Sequence, residues 1–231
     1  MHTAPEACPC CGEREFRREP ALWPELVRAW GLTDEEAEAI DREQGHACTC
    51  CCNNLRSRAL ASALLAHLGM DGPLTLAVEH PPLAGLRVVE VNEAGALSPI
   101  LSRIEGHRRL EYPDCDMRDL PYATGSVDVL LHSDTLEHVP DPLVALGECR
   151  RVLAPDGAML FTVPTLHRRL TRSRQGLPPT YHGLPDVHDE GLRVWTEFGA
   201  DTWRYVCAAG FRECTAYSYR SLEALAWIAR P

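Results

Sequence analysis

The sequence predicts an α/β protein. A doubly wound, mostly parallel sheet is expected over residues 86–231, after a small zinc-stapled helical module over 1–54 and a linking helix and connector over 55–85. Three observations predict this. From residue 86 onward, apolar strand-like runs alternate with helix-like segments, which is the pattern of a parallel sheet covered on both faces. Seven of the eleven cysteines lie in the first 52 residues, in two clusters. The chain has 231 residues, enough to bury one sizeable core and carry a small appendage.

The first cysteine cluster is "CPCCG" (Cys8, Cys10, Cys11) and the second "CTCCCNN" (Cys48, Cys50, Cys51, Cys52). Each holds a C-x2-C pair, Cys8/Cys11 and Cys48/Cys51, a spacing that lets one tight turn aim two thiolates at one ion. Two such pairs complete a four-thiolate zinc site of the structural kind, with no position open to substrate. Cys10, Cys50 or Cys52 could substitute for a member of the quartet. Free thiols and an iron–sulfur cluster are the competing readings. Gly12 follows the first pair, where a turn often needs positive φ. Between the pairs, "PALWPELVRAWG" reads as a short helix. "TDEEAEAIDREQG" reads as a second one, opened by a Thr33/Glu36 capping box and closed by Gly45. "NLRSRALASALLAHLG" reads as the helix that leads into the larger domain.

In that domain "LRVVEVN" is a strand, "LSPILSRIEG" a helix, "HRRLEY" a short strand and "SVDVLLHSD" a strand. "DPLVALGECRRVLA" is a helix stopped by Pro155 and Gly157 before the strand "GAMLFTVP". "TEFGADTWRYVCAAG" is a helix, and "FRECTAYSY" and "ALAWIAR" are the last strands. Ligands of such sheets bind at the carboxyl ends of the strands near the switch point, so the turn after "VVEV" is the place to look.

The composition excludes some functions. All 23 basic residues are arginine, and the net charge of -10 argues against a broad nucleic-acid surface. No apolar run approaches the ~20 residues of a membrane span. The start "MHTAPEACPCCGERE" has no apolar segment of the signal-peptide kind, so a cytoplasmic protein is expected.

The stretch "CDMRDLPYATGSVDVLLHSDTLEHVPDPLVALGECRRVLAPDGAMLFTVP" (115–164) resembles the middle of a class I S-adenosylmethionine-dependent methyltransferase, of the methyltransferase type 11 group. It keeps the order D-x3-LP, G-S-x-D, LEHV-x-DP and E-x2-RVL-x-P-x-G. The resemblance implies a Rossmann-like methyltransferase fold, S-adenosylmethionine as cofactor and a biosynthetic methyl transfer. In this family the first strand ends on an acidic residue followed by x-G-x-G-x-G. Glu90 holds the acidic position here, while Asn92, Ala94 and Ala96 stand at the glycines and Gly95 at a variable site. Asn tolerates left-handed φ and Ala is small, so the loop reads as modified rather than lost. The resemblance further implies that Asp116, ending a third strand with Met117 beside it, faces the adenine. It puts His132 and Ser133 at the end of the fourth strand under the cofactor. Glu111 is the candidate for the ribose hydroxyls, although Asp116 follows too soon for the family's intervening helix.

On the acceptor side, "TLHRRLTRSRQGLPPTYHGLPDVHDEGLRVW" is long enough to be functional. Arg168, Arg169, Arg172 and Arg174 are candidates to grip an anion, or they form a solvated basic face. His182 is a candidate base oriented by Tyr181. His138 in "LEHV" is a second candidate with an equally good packing role, and His188 and Asp189 are weaker ones. The expected substrate is a small or carrier-linked metabolite, glycosyl or anionic. The rival readings are a non-catalytic binding or scaffold protein, an RNA methyltransferase, and a non-methylating reaction on the same fold.

Overall fold

The computed structural model describes residues 7–183, 189–220 and 224–231. Strand β1 (Phe16–Arg18) is followed by helices α1 (Pro24–Trp30) and α2 (Asp34–Gly45) and by strand β2 (His46–Cys48). β1 and β2 pair antiparallel with Phe16 opposite Cys48, so a two-stranded ribbon ties the cysteine turns together beneath the helices. The module is therefore more than the helical hairpin expected. α1 begins with Pro24 in its first turn, where a missing N–H costs nothing, and closes on Gly31. α2 has the expected capping box: the Thr33 side chain accepts from Glu36 N, and the Glu36 carboxylate accepts from Thr33 N.

The remaining elements are α3 (Leu55–Leu68), α4 (Leu74–Ala77), β3 (Val88–Val91), α5 (Ser98–Leu101), β4 (His107–Leu110), β5 (Val127–Ser133), α6 (Pro142–Val152), β6 (Leu153–Thr162), β7 (Thr165–Leu166), β8 (Arg172–Ser173), β9 (Thr196–Gly199), α7 (Thr202–Ala208), β10 (Glu213–Ser218) and β11 (Leu225–Arg230). The main sheet has the order β10-β11-β6-β5-β3-β4. β4, β3, β5 and β6 run parallel, and β11 is antiparallel to both its neighbours. The chain leaves β3 toward β4 and returns past it to β5, which makes the carboxyl ends of β3 and β5 the switch point.

Both faces of the sheet are covered. Val88, Val129, Leu131, Leu160 and Ile228 face one core, and Val89, Leu130, Met159, Phe161 and Trp227 face the other. That strict alternation within all-apolar strands is what double coverage requires. α3 supplies Leu60 and Leu64 to the first core, and Cys8, Cys10 and Cys48 pack into the same cluster. Pro9 and Cys10 carbonyls also accept from the Leu74 and Thr75 amides at 2.8 and 2.9 Å. The cysteine turns and the sheet thus share one core through α3. Among the described residues no helix is long and apolar enough to cross a membrane.

Four sequence expectations need correction. α6 ends at Val152 and β6 starts at Leu153, so Pro155 and Gly157 lie within the strand and do not stop the helix. Residues 111–126 form turns and hold no strand, so Asp116 does not end one. Only those residues join β4 to β5, and Pro113 removes a ladder donor. The helix expected over 97–106 stops after one turn. The helix expected from Thr196 starts at Thr202, because Thr196–Gly199 is strand β9 between β7 and β8. A Cβ on Gly199 would lie 2.2 Å from the Arg169 carbonyl, so this backbone approach needs the glycine.

Candidate active site

A cleft of about 180 Å³ opens at the carboxyl ends of β3 and β5, lined by Asn92, Tyr112, Asp116, Met117, Thr135 and His138 among others. Asn92, the residue after β3, takes the left-handed conformation, φ 59°, that its place in the glycine loop calls for. Its Oδ1 accepts from Tyr112 N at 2.9 Å, tying the β3 loop to the turn after β4. Asp116 reaches the cleft from that turn, with Arg118 Nε at 3.0 Å and Nη2 at 2.7 Å from its two oxygens. This guanidinium fork holds its carboxyl below the usual carboxylate range, against the effect of burial. Met117 is 4% exposed and forms an apolar wall.

Glu90 acts on this loop from behind. It is fully buried; Oε1 accepts from Ala94 N at 2.8 Å and from the Ser98 hydroxyl, and Oε2 lies 2.8 Å from His107 Nε2. Burial pushes its carboxyl up, but the His107, Ser98 and Ala94 contacts more than offset this and hold it below the ordinary value. Glu90 and Ala94 therefore shape the turn from within and do not line the cleft. Gly95, φ 59°, is exposed beside it.

Three further expected cofactor contacts are not at the cleft. Glu111 is half-exposed and paired with Arg109 at 2.7 Å. The His132 ring is buried against Phe161, 4.9 Å between centroids, with both nitrogens unpartnered and its pKa pulled down to about 3 by burial. Ser133 is spent on Thr162, Oγ to Oγ1 at 2.8 Å. The physical reason is strand alternation. His132 stands level with Val91 and Phe161 across the sheet, within the core and short of the strand end.

A second cavity, of about 380 Å³, lies between the N-terminal helices and the same sheet edge. Leu22, Trp23, Leu26, Trp30 and Ile40 give it an apolar wall, and Arg56, Asp134, His138 and His182 a polar one. His138 lines both cavities. Its Nδ1 lies 3.0 Å from the Arg193 carbonyl, so that nitrogen carries the proton and Nε2 presents a lone pair. His182 Nδ1 faces that lone pair at 3.0 Å. Trp30 stacks beside His182, 4.9 Å between centroids. Beneath both lies Glu137, 1% exposed, neither of whose carboxylate oxygens has a hydrogen-bond partner. Burial holds both histidines below their ordinary pKa, and burial with nearby Asp134 pushes the Glu137 carboxyl up.

Tyr181 does not orient His182. Its hydroxyl donates to Glu190 at 2.8 Å, and its backbone forms an isolated antiparallel bridge with Arg193. The four arginines expected to grip an anion are paired within the chain. Arg168 and Arg169 reach Glu35 and Glu36 of α2, and Arg172 and Arg174 both meet Glu197 of β9. They fasten layers together. His188 lies outside the described residues, and Asp189 accepts from Gly191 N at 2.8 Å as a turn cap.

Sequence reasoning missed Glu137, Asp134 and the buried Arg56, which pairs with Glu43 at 3.0 Å and with Asp134. A signal existed: Arg56 opens a helix that is mostly apolar from Ala59 onward, and a guanidinium drawn into a core needs carboxylate partners.

In the N-terminal module Cys8, Cys11, Cys48 and Cys51 bring their sulfurs together. Cys8 Sγ lies 3.8 Å from Cys51 Sγ, and Cys11 Sγ 3.6 Å from Cys48 Sγ. Bonds of ~2.3 Å to a tetrahedral ion give an edge of ~3.8 Å, so the spacing fits four-thiolate ligation. Gly12 has φ 90° at the first turn, as expected. Cys50 and Cys52 are exposed and Cys10 is buried beside the quartet.

Residues 76–161 match the methyltransferase domain family. A ubiquinone biosynthesis O-methyltransferase of Cereibacter sphaeroides is 31% identical over 94 residues, 41% of this chain and 34% of that protein. A malonyl-[acyl-carrier protein] O-methyltransferase of Halorhodospira halophila is 31% identical over 116 residues, 47% of this chain and 39% of that one. The chain thus spans little more than a third of the length of these two curated relatives. Among solved structures, a methyltransferase from Thermotoga maritima superposes with a TM-score of 0.43 at 15% identity, covering 77% of this chain and 99% of that one.

Proposed function

We propose that this chain, whose residues 76–161 match the methyltransferase domain family, is a class I S-adenosylmethionine-dependent enzyme that methylates a small or carrier-linked acceptor held beneath its N-terminal helices. The observation that carries the reading is the position of His138 on the wall of both cavities. A cofactor in one and an acceptor in the other would meet there, which is the arrangement an in-line transfer needs.

The residues at the first cleft fit the cofactor at three points. Asn92 supplies the left-handed turn, Asp116 a carboxylate for a polar edge, and Met117 an apolar face. Glu111 does not join them. When bound, S-adenosylmethionine supplies an electrophilic methyl on a sulfonium. This chain's own residues orient and desolvate. Asn92 and Met117 bound the cofactor cleft, Trp23, Leu26 and Trp30 exclude water from the acceptor side, and His138 and His182 border the acceptor cavity where its reacting oxygen would sit. An acceptor with an apolar body and a reacting oxygen suits that cavity. An anion held by Arg168–Arg174 does not, because those guanidinium groups are paired. We assign zinc to the four cysteines as a structural ion that supports the cavity roof. The acidic balance of the chain, -10, speaks against RNA as substrate.

The test is calorimetric titration of the zinc-loaded protein with S-adenosylmethionine and S-adenosylhomocysteine. Micromolar binding of both is expected, weakened at least tenfold in Met117→Trp. A folded, zinc-containing protein that binds neither would overturn the reading.

A further inference from the structure

We propose a second metal site, built from Glu137, His138 and His182, that binds one divalent first-row transition ion with a coordination position open to the acceptor cavity. Two histidines and one carboxylate suit such an ion better than calcium or magnesium, which prefer oxygen donors.

The geometry argues for it first. His138 Nε2 and His182 Nδ1 are 3.0 Å apart, and each lies 3.6 Å from Glu137 Oε1. Bonds of ~2.0–2.1 Å to a tetrahedral ion make ligand–ligand edges of ~3.3 Å. These three atoms therefore outline one face of such a tetrahedron. The protein fixes three donors, and His138 and His182 border the larger cavity, so the fourth position faces it. Three protein ligands with one open position is the pattern of a catalytic ion, in contrast to the closed cysteine quartet.

Unsatisfied polarity is the second, independent observation. A carboxylate 1% exposed with no hydrogen-bond partner at either oxygen is costly to bury. Asp134, on the same cavity wall, has a further buried and unpartnered oxygen, Oδ1. Arg56 is matched by Glu43 and Asp134 and makes no hydrogen bond to Glu137. A metal ion would satisfy it.

The surrounding groups favour ligation. The Arg193 carbonyl holds the proton of His138 on Nδ1 and leaves Nε2 as a ligand, the outer contact that metal-bound histidines usually show. Trp195 N donates to the Glu137 carbonyl and His182 N to the Leu192 carbonyl, at 2.8 and 2.9 Å, fixing both backbones. The ligand expected at the open position is a hydroxyl or carboxylate oxygen of the acceptor. That clause alone rests on the methyl-transfer reading.

The experiment adds cobalt(II) to the full-length, zinc-containing protein without cofactor. The expected result is one equivalent of cobalt with visible ligand-field bands and no thiolate charge transfer. Glu137→Gln and His182→Ala should each weaken this binding at least tenfold and leave the thiolate-bound zinc in place, which reports that the variants are folded. If the wild type takes up no cobalt outside the thiolate site, or if both folded variants bind it as well as the wild type, the proposal is overturned. Cofactor binding is titrated separately. Cobalt uptake without cofactor binding would sink the methyl-transfer reading and leave the metal site standing. Cofactor binding without cobalt uptake would do the reverse.

Discussion

Arg169, in the segment after β7, places its Nε 2.6 Å from Glu36 Oε1 in the first turn of α2. The same guanidinium donates to the Gly31 carbonyl at 2.7 Å, at the end of α1. Glu36 is also the carboxylate that closes the α2 capping box on Thr33 N at 2.9 Å. One buried acidic side chain thus starts a helix and docks it on the sheet domain. Arg169→Ala would strand it, at a cost of about 1–3 kcal/mol. Because α1 and α2 line the larger cavity and not the cofactor cleft, the substitution should raise the KM for acceptor and leave cofactor affinity unchanged. Cofactor affinity falling in step with acceptor affinity would show that the contact holds something other than that roof.

The same pair predicts a pH dependence. The Arg169 contact lowers the Glu36 pKa from its ordinary 4.5, against burial. A carboxyl whose folded pKa is depressed contributes stability that is present above the unfolded value and lost as pH falls through the folded one. The stability gap between wild type and Glu36→Gln should therefore hold from pH 7 down to about 4.5 and narrow below it. Urea unfolding at a series of pH values measures this, and a gap that stays constant through pH 3 would remove the ion pair as its source.

Asn92 makes a graded prediction. Its φ of 59° costs ordinary residues about 1–2 kcal/mol and glycine nothing. Its side chain adds the contact to Tyr112 N, worth about 0.5–1.5 kcal/mol. Asn92→Gly gains φ freedom and loses the contact, so it should remain close to wild type. Asn92→Ala loses both and should be destabilised by about 1–3 kcal/mol, and Asn92→Val by more. Cofactor affinity should follow the same order. Glycine falling as far as alanine would mean the lost side-chain contact, and not the backbone turn, dominates.

These residues show what the sequence could and could not reveal. Asn92, Gly12 and the Thr33/Glu36 box were legible because backbone conformation and capping are local. The mostly parallel sheet was legible from alternation and from the motif block at 115–164. His132 was not, because a strand's side chains alternate faces and the motif fixes the strand end only to within a residue. The arginines at 168–174 were misjudged because their partners, Glu35, Glu36 and Glu197, stand far away in sequence. The cavity under Trp23 and Trp30 was invisible for the same reason. It exists only where the N-terminal helices meet the sheet edge.

That meeting depends on the cysteine turns. Cys48 is fully buried and packs in one cluster with Leu60 and Leu64 of α3, which in turn cover Leu160 and Ile228 of the sheet. Cys50 is exposed and outside the quartet. Cys48→Ser should therefore remove the thiolate-bound ion and destabilise the whole chain, with faster hydrogen exchange in residues 55–68 as well as in the module. Cys50→Ser should retain both the ion and the exchange pattern. Because the free energy of ligating a structural ion is folding free energy, a strong chelator should reproduce the Cys48→Ser pattern in the wild type. If chelation frees the metal yet leaves exchange in 55–68 unchanged, the module is an appendage and the shared core does not depend on its ion.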